Sequence, residues 1–122
     1  MAVTIGNVAA ALADTLVSDS AVTDASGTQA NSGSTTWYCL RADGRQATSD
    51  SFIKVWDATS GSPDSNNPDY VFPVPTGTNI EYVSSEGNAL AGGLRYWGTS
   101  TRANGATQSP VTGTLSAKFL LS

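Results

Sequence analysis

The large apolar residues of this chain fall in short runs, and long polar stretches divide them. Trp37-Tyr38-Cys39-Leu40, Phe52-Ile53-Lys54-Val55-Trp56, Tyr70-Val71-Phe72, Ile80-Glu81-Tyr82-Val83 and Leu94-Arg95-Tyr96-Trp97 are each three to five residues long. Between them lie segments such as 24–36 and 58–69, which hold no large apolar residue. Runs of that length are strand-sized, and the breaks carry the turn residues Gly, Pro, Asn and Asp. A helix bundle needs long segments of straight-chain helix formers, yet Lys and Glu together number only four among 122 residues. The sequence therefore predicts an all-β chain with seven or eight strands in one domain-sized unit. The expected architecture is an antiparallel β-sandwich, jelly-roll-like, over residues 34–122. Residues 1–33 are expected to form an extended or partly helical N-terminal arm and a polar loop.

The clearest strand is 51–57. Ile53 and Val55 share one face, while Phe52, Lys54 and Trp56 share the other. Large side chains on both faces mean that neither is freely solvated, and a lysine between two aromatics marks a face that is half core and half surface. Pro73 and Pro75 either demote the strand over 70–72 to a sheet edge or end it, because proline cannot donate to a ladder. Residues 76–78 form the next turn. Asp43-Gly44, Glu86-Gly87-Asn88 and Asn104-Gly105 read as further turns. The last strand spans 111–121, with Gly113 at an expected bulge. Residues 2–6 read as a short strand. Asn7 could cap a helix over 8–13, or the same segment could continue as strand through Ser18.

Composition removes several chemistries. The chain has no His, so a His-ligated zinc site, a Ser-His-Asp triad and a Cys-His dyad are excluded. Cys39 is the sole cysteine, which excludes an internal disulfide and a thiolate metal cluster. Its place in an apolar run predicts a buried, inert thiol. A net charge of −4 argues against a nucleic-acid partner. The longest apolar stretch, Val8 to Ala13, is too short to span a membrane, and no secretion signal is evident. No cofactor motif is present, and no Gly-rich segment leads into Lys-Ser or Lys-Thr.

The remaining candidates read as structure. Glu81 is the one mid-strand acid and is expected to face solvent. Asp50 and Asp57 bracket a strand without forming a catalytic pair. Asp64, Asn66 and Asp69 offer oxygens for calcium, but Pro68 occupies the turn such a loop needs, and a proline-rich Asx turn is the simpler reading. No enzyme activity is expected. Adjacent aromatics remain: in Trp37-Tyr38 and in Tyr96-Trp97 one member points away from the other. An outward member left uncovered by loops would be an interface residue, so Trp37, Tyr38, Tyr96 and Trp97 are the candidate interface.

From residue 37 to 121 the order of features resembles that of small virion proteins of tailed bacteriophages. The shared order runs through Phe52-Ile53-Lys54-Val55-Trp56-Asp57-Ala58-Thr59, a loop with Pro63 and Pro68, Pro73-Val74-Pro75-Thr76-Gly77, Gly93-Leu94-Arg95-Tyr96-Trp97 and a closing strand. The resemblance implies a structural protein of the capsid decoration, or cement, type. It would be made in the host cytoplasm and carried on the capsid surface. Its partners would be the phage major capsid protein and itself, as a dimer or trimer, with no nucleic acid and no membrane. A tail, neck or head-fibre component is the alternative within the virion. A carbohydrate-binding β-sandwich module is the alternative outside it.

Overall fold

The computed structural model describes residues 15–23, 27–62, 67–104 and 107–122. It contains eight strands: β1 (Thr15–Asp19), β2 (Thr28–Asn31), β3 (Thr35–Ala47), β4 (Ser51–Trp56), β5 (Tyr70–Val74), β6 (Asn79–Leu90), β7 (Leu94–Thr99) and β8 (Gly113–Leu121). No helix occurs among the described residues. The strands form two antiparallel sheets of four. The front sheet has the order β1-β8-β3-β6 and the back sheet β2-β7-β4-β5. The pairing is nested: β4 bonds β5, β3 bonds β6, β2 bonds β7 and β1 bonds β8. The chain thus behaves as one long hairpin folded over on itself, its inner and outer strand pairs dealt alternately to the two sheets.

Period-two alternation builds the core. The front sheet contributes Leu40 and Ala42 from β3 and Leu115, Ala117, Phe119 and Leu121 from β8. The back sheet answers with Ile53, Val55, Phe72, Val74, Leu94 and Tyr96. Rings lock the sheets together, with Trp37 edge-on to Phe72 at 5.3 Å and Tyr96 tilted against Phe119 at 5.0 Å. Such pairs add about 0.5–1.5 kcal/mol each beyond burial. The result is an all-β, β-sandwich-like fold.

The central strands of the back sheet, β4 and β7, are buried on both faces along most of their length. All six residues of β4 are buried. Its outward side chains Phe52, Lys54 and Trp56 lie under two connecting segments rather than in water. Segment 57–62 accepts the Trp56 indole N–H through Ser60 O at 3.0 Å. The β7–β8 connection is held by Thr99, whose hydroxyl donates to Ser109 O at 2.7 Å, and by the Lys54 ammonium. The half-surface face expected for Lys54 is therefore corrected. Lys54 is 0% exposed and donates to Ala103 O (2.7 Å), Gln108 Oε1 (3.0 Å) and Arg102 O (3.2 Å).

Two expected turns prove to be strand interior. Asp43-Gly44 lies within the 13-residue β3, and Glu86-Gly87-Asn88 lies within β6. In both places the ladder absorbs extra residues as bulges. The register shifts between Asp43 and Gln46 against β8, and between Trp37 and Cys39 against β6. Gly44 is needed there for close approach, since a Cβ would stand 2.8 Å from Val74 Cγ1. Gly113 has a φ of 80° and opens β8 directly against Gln46 and Ala47, next to the irregularity expected for it. The turn at 76–78 is present, with Gly77 at φ 77°.

Strands also begin earlier than residue 34. Residues 15–19 and 28–31 are edge strands of the two sheets, so part of the segment read as arm and loop joins the fold. The strand over 2–6, the Asn7 cap and the helix-or-strand alternative for 8–14 lie outside the described residues. Most edges are blunted: β2 has four residues, β5 carries Pro73, and the bulge interrupts β6.

Tyr96 joins the two sheets by a polar contact. Its buried phenol donates to Asp19 Oδ2 at 2.7 Å, which ties β7 to β1. Burial, reinforced by the Asp19 carboxylate, pushes its pKa far above the ordinary value. A raised folded-state pKa means that this stability is complete below the unfolded value near 10 and is lost as pH rises beyond it. The urea midpoint should fall between about pH 10 and 11. Tyr96→Phe should flatten that decline at a cost of about 1.5–3 kcal/mol at pH 7. An identical alkaline decline in the variant would refute the assignment.

Candidate docking face

The structure separates the four candidate interface residues. Trp37, Tyr96 and Trp97 are 5%, 1% and 0% exposed, so none meets a partner at the surface. Trp37 and Tyr96 point into the core. Trp97 points outward from the back sheet, but the covering segments enclose it against Trp56, their ring centroids 3.8 Å apart. The condition that made these residues interface candidates, an outward ring left uncovered, fails for all three. A sugar likewise finds no open tryptophan platform among the described residues. Tyr38 alone is half-exposed, at the bulge of β3, where its ring packs over Gly87.

Asp50, Asp57 and Asp69 cap backbone, and Asp43 and Glu81 form surface ion pairs. Asp57 accepts from Gly92 N at 2.6 Å and Ala91 N at 3.1 Å, and Asp50 accepts from Thr76 N at 2.9 Å. Asp69 accepts from Asp57 N at 2.7 Å. Asp64 and Asn66 lie outside the described residues. Among the described residues no three His, Cys, Asp or Glu side chains gather as a metal site would require. Glu81 faces solvent, as expected, and binds Arg41 Nη2 at 2.8 Å.

The outward face of the front sheet was not foreseen. Leu16 stands opposite Leu120, Leu120 opposite Cys39, and Cys39 opposite Val83. These four side chains make an unbroken row across all four strands, about 14 Å long at the usual strand spacing. Leu16, Val83 and Leu120 are 59%, 65% and 38% exposed. They are three of the four exposed large apolar residues among the described residues; the fourth, Val71, lies on the back sheet. Scattered exposure of apolar residues is ordinary, whereas clustering of this kind is not.

Cys39 reaches this face through the bulge. With Trp37 pointing inward, strict alternation would send Cys39 inward too. The extra residue at Tyr38 turns it outward, and the expectation of a buried thiol is corrected to a half-exposed one. Partial burial first, and the neighbouring Glu81 carboxylate second, push its pKa up, so it remains a thiol at neutral pH.

A charged row flanks the apolar one. Ser18 stands opposite Lys118, Lys118 opposite Arg41, and Arg41 opposite Glu81. Two residues further along β3, Asp43 holds Arg45 at 2.7 Å, and this pair keeps the Asp43 carboxyl at a pKa of about 2. Leu16, Leu120, Cys39, Arg41, Glu81 and Lys118 line one open depression. No period in the sequence could have found it, because its residues come from four separate segments.

Comparison of the chain with protein-family models, with curated proteins and with solved structures returns no match.

Proposed function

We propose that this chain is a structural virion protein of the decoration type, which attaches to the outside of a phage head through the outward face of its front sheet and stabilises the shell. The observation that carries this reading is the Leu16–Leu120–Cys39–Val83 row, an exposed apolar band on one face of a domain whose three tryptophans are all buried. The nested order of eight strands supports a jelly-roll reading, an architecture used by viral capsid domains and lectins. The sequence resemblance over residues 37–121 favours the virion. A cement function needs a stiff body and a sticky face rather than a reactive centre, and it draws avidity from many shell sites.

Purified particles test the proposal. Particles lacking the protein should keep their shell lattice yet lose resistance to heat or chelation, and adding the protein back should restore it. Leu120→Glu should bind such shells roughly ten- to a hundredfold more weakly, because docking would bury an unpaired carboxylate. Its circular dichroism and melting should stay unchanged, since residue 120 faces out. Copies in the hundreds per particle support the shell. A few copies that purify with tails overturn it in favour of a tail or neck component.

A further inference from the structure

We infer that the surface received by this face is an acidic protein surface, with carboxylates set beside an apolar ridge. This inference rests on the docking reading above and adds the chemistry of the partner. Its basis is a segregation of charge. The chain carries −4 overall. Among the described residues its front face nonetheless gathers Arg41, Arg45 and Lys118 against Asp19, Asp43 and Glu81, a balanced face on an acidic protein. Half of the six basic residues of the chain lie on this one face.

Pairing sharpens the point. Glu81 engages Arg41 and Asp43 engages Arg45, each across 2.8 Å or less. Among the described residues Lys118 has no carboxylate partner. It stands two residues from Leu120 on β8, so its Cα lies about 7 Å from the apolar row along the strand. A partner carboxylate at that distance from an apolar ridge would meet Lys118 as the ridge meets Leu120.

A second copy docked on the same face fits less well. An isologous dimer repeats one patch on both sides. It would offer each Lys118 only carboxylates that Arg41, Arg45 and Tyr96 already engage. Nucleic acid would supply negative charge but must approach a chain of −4, and it offers no apolar ridge for Leu16 and Val83.

Two probes distinguish these cases: a capped hexapeptide alternating glutamate with leucine, and its twin alternating lysine with leucine. Each is titrated into the full chain while backbone amide shifts are followed by NMR. The acidic peptide should move the amides of Leu16, Val83, Lys118 and Leu120, and raising salt from about 50 to 500 mM should weaken binding several-fold. The basic peptide should leave them in place. Lys118→Glu should cost about tenfold for the acidic peptide and reverse the preference. Equal response to both peptides, or shifts elsewhere, overturns the inference. Concentration-dependent sedimentation of the free chain that Leu120→Glu abolishes also overturns it, in favour of self-association. Shell binding lost in Leu120→Glu but unchanged in Lys118→Glu overturns the acidic partner alone and leaves attachment through this face standing. Shell binding unchanged in both variants overturns the attachment reading itself.

Discussion

Trp97→Ala should destabilise the protein by about 3–5 kcal/mol, as expected for a fully buried tryptophan cut back to a methyl group. Trp97 is 0% exposed and lies outside the central core, between β4, the Trp56 ring and the segments that cover the back sheet. Its loss would empty that second core, and Phe52 and Trp56 could refill it only by moving the covering segments. Among the described residues the indole N–H has no hydrogen-bond partner, so the cost is one of packing. Trp97→Phe should therefore recover much of the stability. Urea denaturation monitored by far-UV circular dichroism decides the matter. A change below about 1 kcal/mol for the alanine variant would mean that the covered face of the back sheet contributes little.

Lys54→Met separates local from global effects. The substitution keeps much of the volume and removes the ammonium that donates to Arg102 O, Ala103 O and Gln108 Oε1, while Ala103 O keeps its bond from Gln108 Nε2. Each unpaired buried acceptor costs about 1–3 kcal/mol unless water reaches it. The covering segment can admit water by opening. Against this, the fold no longer buries a charge, which by itself is stabilising. The expected outcome is a modest change in global stability, within about 2 kcal/mol, together with a large loss of protection over residues 100–104 and 107–110. Amide exchange there should quicken by at least tenfold, and proteolysis should enter at that segment first. Unchanged exchange would show that Thr99 and its neighbours hold the segment unaided.

The pH dependence of Lys54 has the opposite sign to that of Tyr96. Burial depresses the Lys54 pKa, so the folded state disfavours the charged form. The associated cost is greatest at neutral pH and is relieved as pH climbs from the folded pKa toward the unfolded value near 10.4. The wild type should therefore gain stability on the approach to pH 10, before tyrosine ionisation reverses the trend. Lys54→Met should lack that gain.

Legibility in the sequence followed the range of the interaction. The strands at 51–57, 70–72, 79–84 and 94–97 were readable because alternation is a property of neighbouring residues. Pro73 announced an edge or a strand end for an equally local reason, the missing donor. The mixed faces of β4 showed that both would be covered, though not that Lys54 would be wholly enclosed. That depends on a segment some fifty residues away closing over it.

Asp43-Gly44 and Glu86-Gly87-Asn88 misread as turns for a related reason. Their local chemistry suits a tight turn as well as a bulge. Which one forms depends on whether a neighbouring strand runs on beyond the irregularity, as β8 does beside Asp43-Gly44 and β3 does beside Glu86-Gly87-Asn88.

The sequence by itself determined an all-β chain with no imidazole and no second thiol, because composition and alternation are local and complete in the chain. Tertiary structure alone decided which aromatics vanish and which aliphatic residues surface. Trp97 went inside because two connections fold over it. Leu16, Cys39, Val83 and Leu120 came together because four strands set their register against one another. A one-residue slip in any of them would have turned its side chain to the other face, and one bulge residue at Tyr38 did turn Cys39 outward.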